Sequence, residues 1–149
     1  MEQKMGWINL FNLIIVILLL VPNIIYAVKN KHMEIKPQNR AISILEQIGR
    51  YGSMFFMVFD IGIPKFGFRS NEAFVIWLFC NGMLLLLYWL IWIFYFRQPK
   101  LSSGLSLAII PGGLFLLNGL FLGHWLLILF AAVFCIAHVY IVYHSHDTK

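Results

Sequence analysis

Charge is what this chain has least of. Only 11% of its 149 residues are Asp, Glu, Lys or Arg, and six residues in all are acidic. A soluble domain typically carries about 25% charged residues. Intrinsic disorder, which needs high charge with low hydrophobicity, is excluded by the same shortage. The two cysteines, Cys80 and Cys135, lie inside apolar runs, which excludes a disulfide framework of extracellular loops. No HExxH, GxSxG, GxxxxGK[ST] or dinucleotide fingerprint occurs, and no long polar segment is present to house a soluble active site. The reading therefore leans away from an enzyme, and nothing names a cofactor. No arginine-rich helix or aromatic-interleaved basic run is present, so nucleic acid is not an expected partner.

What is there is apolar. Hydrophobic residues make up 61% of the chain and the mean hydropathy is +0.83. A globule of this length cannot bury so much apolar side chain, because its surface is too large relative to its volume. The excess must face lipid, so the chain is expected in a membrane, most simply the bacterial cytoplasmic membrane.

About 20 apolar residues span a bilayer core. The uncharged run Met5 to Val28 exceeds the 7–15-residue core of a signal peptide and is expected to stay as helix 6–28. Pro22 and Asn23 predict a kink or break in it that a neighbour must satisfy. A basic loop follows over 29–40, then helices over 41–63, 73–96, 103–122 and 125–143. The last two separate at Leu122-Gly123-His124-Trp125, the one break available between Lys100 and Asp147. Tyr88, Trp89, Trp92 and Tyr95 are expected as an aromatic belt at the headgroup layer. The fold class is all-α: a single domain, 1–149, forming a five-helix transmembrane bundle. The positive-inside bias puts the 29–40 loop in the cytoplasm, the N-terminus outside and the C-terminus inside.

Helix two is the least ordinary element, because it holds Glu46, Arg50 and Asp60, each costing at least about 2.5–3.5 kcal/mol at a span centre. An interfacial helix to Arg50 followed by a short insertion is the alternative to a span. At about 100° per residue from Glu46, Arg50 sits near +40°, Ser53 near −20°, Met57 near +20° and Asp60 near −40°, one polar stripe. A plain i, i+4 ion pair between Glu46 and Arg50 would account for part of it. The other reading is a polar cleft in which Arg50 or Glu46 binds a ligand headgroup or relays a proton, with Tyr51 beside them. The membrane amides Asn23, Asn81 and Asn118, with Asn9 and Asn12, either join helices by hydrogen bonds or line that cleft.

His138 shares a face with Cys135, and His144 and His146 follow. Their spacing fits no standard zinc pattern, so a hydrogen-bonded histidine is expected rather than a metal site. Gly112, Gly119 and Gly123 form a close-packing face on helix four, for another helix of the fold or for a partner chain. Pro111-Gly112-Gly113 is a second place where a helix could break.

The strings VPNIIYAVKNK, LEQIGRYGSMFFMVF and NEAFVIWL resemble an uncharacterised family of small polytopic membrane proteins from low-GC Gram-positive bacteria. That resemblance implies a multi-pass membrane fold and transfers no activity or site residue. The expected function is recognition, extending to translocation, of a small or amphipathic ligand in a cleft lined by helix two. Its candidate residues are Glu46, Arg50, Tyr51, Ser53, Asp60, Asn23, Asn81, Asn118 and His138. The rival is an accessory or immunity-type subunit binding another membrane protein, or a second copy, through Gly112, Gly119 and Gly123. A weaker rival is an intramembrane enzyme acting on lipid.

Overall fold

The computed structural model describes residues 8–31, 39–59, 61 and 68–147. Among these the chain is all-α: α1 Leu10–Lys29, α2 Arg40–Val58, α3 Asn71–Arg97, α4 Leu101–Leu122 and α5 Trp125–Asp147. The sole β feature among them is an isolated antiparallel pairing of Ile8 with Phe59. Four helices, α1, α3, α4 and α5, are long and apolar enough to cross a membrane.

The boundaries follow from local chemistry. Asn9 caps α1 by accepting from Asn12 N at 3.1 Å, so the helix starts later than residue 6. Ser70 caps α3 through Ala73 N, which moves its start to Asn71. α2 stops at Val58, five residues short of expectation, because Phe59 turns extended; Asp60 lies outside the described residues. It is nevertheless one continuous helix through Arg50, not an interfacial helix followed by an insertion. Gly123 has φ 64°, the left-handed region that glycine enters without steric cost, and it separates α4 from α5 at the expected turn.

Neither proline breaks its helix. α1 runs through Pro22 and α4 through Pro111. Pro22 has no N–H, so the Leu18 carbonyl four residues earlier loses its helical donor. Trp89 Nε1 on α3 donates to that carbonyl at 3.1 Å, the expected neighbour's repair.

Successive helices alternate in direction. α1 and α3 run parallel, Phe11 meeting Phe74 near one end and Tyr26 meeting Trp92 near the other. α4 runs against α3, with Asn118 beside Trp77 and Gly104 beside Tyr95. α5 runs against α4, its Cys135 lying over Gly112 and its Ile128 over Gly119. α2 runs against α5, Gly49 facing Phe134 and Phe56 facing His124. One end of the bundle therefore gathers Lys29, Arg40, Arg97 and Lys100; the other gathers Asn9, Phe59, Ser70 and Gly123.

The core is built on Trp77, Tyr88, Phe115, Met57, Leu114 and Leu127. Tyr88 and Trp92 belong to it, so the expected aromatic belt is reduced: of that group Trp89 faces outward. Large apolar side chains such as Ile17, Phe79, Leu86, Leu120 and Ile136 stay on the outside, as a lipid-facing surface requires. α2 follows the same rule with its polarity reversed from that of a soluble helix. Its inner face is Glu46, Gly49, Ser53 and Met57, and its outer face Ile44, Leu45, Ile48, Tyr51 and Phe55.

A buried charged centre and the chamber beside it

The α2–α5 contact is close because two glycines allow it. A Cβ on Gly49 would come within 2.6 Å of the Phe134 backbone, and one on Gly52 within 2.3 Å of the Phe130 ring. This approach sets the register that brings Glu46 of α2 against His138 of α5. Glu46 is 5% exposed. Its Oε1 accepts from the Arg50 guanidinium one turn along α2 and from His138 Nδ1 at 3.0 Å across the interface. A histidine that donates from Nδ1 in its neutral form leaves Nε2 as an acceptor; in its charged form both nitrogens donate. His138 is held on its other side by Phe134, stacked at 5.0 Å, and the Arg50 guanidinium lies 5.8 Å over the same ring.

The centre lies deep. Counted from Arg40 at about 1.5 Å per residue, Glu46 lies about 9 Å and Arg50 about 15 Å along α2. A pair of that depth sits well inside a bundle roughly 30 Å long rather than at its rim. Two effects offset the cost of burying it. Glu46 and Arg50 neutralise one another, and His138 supplies Glu46 with a second donor.

Beside this centre is a chamber of about 40 Å³ between α1 and α2, floored by α3, α4 and α5. Its polar walls are Arg50, His138, Asn23 and Tyr88, and its apolar ones include Leu19, Leu20, Met54 and Phe115. Glu46 stands behind Arg50 and His138 and is not part of the wall. Among the described residues every hydrogen bond joining α1 to α2 lies near the opposite end of the bundle. Asn9 N donates to Val58 O, and Asn12 Nδ2 to Met57 O, both at 2.8 Å. The two helices are not tied together where the chamber opens. There Asn23 is exposed and the Arg50 side chain is 35% exposed. The larger cavity, about 180 Å³, is an apolar groove between α1 and α3 with no ionisable residue in its lining.

The candidate residues separate into groups. Glu46, Arg50, Asn23 and His138 come together at the chamber or just behind it. Ser53 is buried on the same face of α2, but its hydroxyl donates to Gly49 O at 2.7 Å. Tyr51 is 65% exposed and points away from the site, which corrects its inclusion. At about 100° per residue it lies about 140° round the helix from Glu46, so adjacency in the sequence misled. Asn81 and Asn118 belong to a separate network: Asn118 Nδ2 donates to Asn81 Oδ1 at 2.8 Å and Trp77 Nε1 to Asn118 Oδ1 at 2.7 Å. This is helix-joining chemistry among α3 and α4, not a part of the chamber. Cys135, His138 and His144 do not converge on one point, since Cys135 packs on Gly112, His138 on Glu46 and His144 on Tyr140.

Two functional or structural side chains were not anticipated. Tyr88 was expected at the headgroup layer, yet its hydroxyl accepts from Asn23 Nδ2 at 2.7 Å inside the chamber wall. His124, read as a turn residue, is fully buried; its Nε2 meets Ile61 O at 3.1 Å and its Nδ1 receives Leu127 N at 3.4 Å. The glycine face of α4 is used inside the fold. A Cβ on Gly112 would meet Cys135 Sγ at 2.7 Å and one on Gly119 would meet Ile128 Cγ1 at 2.7 Å, so α5 already fills that surface.

Neither a protein-family model, nor a curated protein, nor a solved structure matches this chain. What stands on its own geometry is an all-α chain with four helices fit to cross a membrane and a charged centre buried between its two closest helices.

Proposed function

We propose that this protein is a five-span membrane protein that binds a small or amphipathic ligand in the crevice between α1 and α2, with translocation as its extension. The observation that carries the reading is Arg50: a charged side chain about halfway along α2, one third exposed, beside a chamber. A charge at that depth in hydrocarbon is costly, and such residues mark cavities, relays and ligand sites. Glu46, itself bonded to His138, accepts from one arm of the guanidinium and leaves the rest free for the crevice.

The fifth span is α2. Its charges keep its average too polar for a simple hydropathy criterion, but they face inward, and its outer face of Ile44, Leu45, Ile48, Tyr51 and Phe55 suits lipid. The parallel run of α1 and α3 also requires the chain to return across the bundle between them. With the Lys29, Arg40, Arg97 and Lys100 end in the cytoplasm, the N-terminus lies outside and the C-terminus inside.

The test is a melting series in neutral detergent with short-chain amphiphiles of anionic, cationic and zwitterionic type. Binding in the crevice predicts that at least one class raises Tm in the wild type and that Arg50→Gln abolishes the rise. A flat response to every class refutes the reading.

A further inference from the structure

The chamber walls hold more donors than acceptors. Arg50 gives one arm of its guanidinium to Glu46 and makes no other hydrogen bond among the described residues. Tyr88 accepts from Asn23, which leaves the Tyr88 O–H proton without an acceptor among them. His138, whose Nδ1 meets Glu46, completes the wall beside them. The charges of Glu46 and Arg50 cancel, and of the two only Arg50 lines the chamber.

Size narrows the ligand further. A water needs about 10–15 Å³ of such space, so a chamber of about 40 Å³ takes a group of only a few heavy atoms. A sugar or phosphodiester head is too large. Leu19, Leu20 and Met54 make the way in apolar, and α1 and α2 are not bonded together there.

We infer that the chamber receives the small oxyanion head of a single-chain anionic amphiphile, which enters sideways from the bilayer between α1 and α2 and leaves its chain outside. The inference rests on the crevice reading above and names the chemistry of its ligand. Arg50 supplies the charge, and Tyr88 supplies a further donor.

The experiment is calorimetric titration of the full chain in maltoside micelles, with empty micelles subtracted. Decanesulfonate is the probe, because it joins a small, fixed negative head to a single chain. Decyltrimethylammonium tests the sign of the charge, and methanesulfonate tests the same head without a chain. Decanesulfonate is expected to bind at least tenfold more tightly than either. Tyr88→Phe, which deletes one hydroxyl from an otherwise intact wall, should weaken binding about threefold or more, while the outward Tyr51→Phe should leave it unchanged. Equal binding of the cationic probe overturns the anionic assignment and leaves the crevice standing. Equal binding of methanesulfonate overturns the amphiphile and points to a free anion. If neither decyl probe binds, the anionic assignment fails, and the crevice reading fails with it when zwitterionic amphiphiles leave Tm flat as well.

Discussion

Removing the indole N–H of Trp89 should destabilise the protein only while Pro22 is present. Pro22 leaves the Leu18 carbonyl without a helical donor, and Trp89 Nε1 meets it at 3.1 Å. Water is scarce in a bilayer core, so the carbonyl has no ready substitute. A bared buried acceptor costs about 1–3 kcal/mol, while membrane hydrogen bonds measure about 0.6 kcal/mol on average and up to about 1.7. The bond sits beside a partly exposed indole, so Trp89→Phe is expected to cost about 1 kcal/mol. Pro22→Ala restores a backbone donor to the same carbonyl. In that background Trp89→Phe should cost less than about 0.5 kcal/mol, the residue of lost ring packing. The coupling between the two sites is then roughly 0.5–1 kcal/mol, within the range found for contacting residues. Equilibrium unfolding of the four proteins in mixed micelles measures it. Equal costs of Trp89→Phe in both backgrounds would refute the argument that the indole replaces the proline's missing donor.

Four further outcomes follow from the same geometry. Glu46→Ala should cost about 1–3 kcal/mol in micelle unfolding, because it removes the acceptor that Arg50 and His138 share, whereas Glu46→Gln with Arg50→Met should recover much of that loss. Gly49→Ala should destabilise by about 1–3 kcal/mol, since its Cβ would strike the Phe134 backbone, while Gly113→Ala, with open space at its Cβ, should be neutral or mildly stabilising on the same assay. Asn118→Leu should lose about 1 kcal/mol and, through its bond to Trp77, shift the tryptophan fluorescence. In a background lacking Cys80 and Cys135, Lys31→Cys and Gln98→Cys should be labelled from one side of the membrane and Arg69→Cys from the other; labelling of Lys31→Cys and Arg69→Cys from the same side would exclude α2 as a span.

Five helical segments, the apolar length of four of them and the α4–α5 turn were legible in the sequence, because apolar run length and a left-handed glycine act locally. The polar stripe of α2 was legible for the same reason: Glu46 and Arg50 are one turn apart on any helix. The helix ends were less so. Caps at Asn9 and Ser70 and the extended Phe59 shifted them by two to five residues, and a hydropathy run carries no cap information.

Tertiary structure alone decided which polar groups meet. His138 joins Glu46 because Gly49 and Gly52 let α5 approach α2 in one register, and no periodicity within either helix encodes a register between them. The same holds for Tyr88, drawn inward to Asn23 and away from the interface, and for Asn81 and Asn118, which bond to one another instead of lining the chamber. Gly112 and Gly119 announced a close contact in the sequence, and the packing assigned it to α5. The scarcity of charge left four helices apolar enough to cross a membrane; packing determined where three of the chain's ionisable side chains stand together.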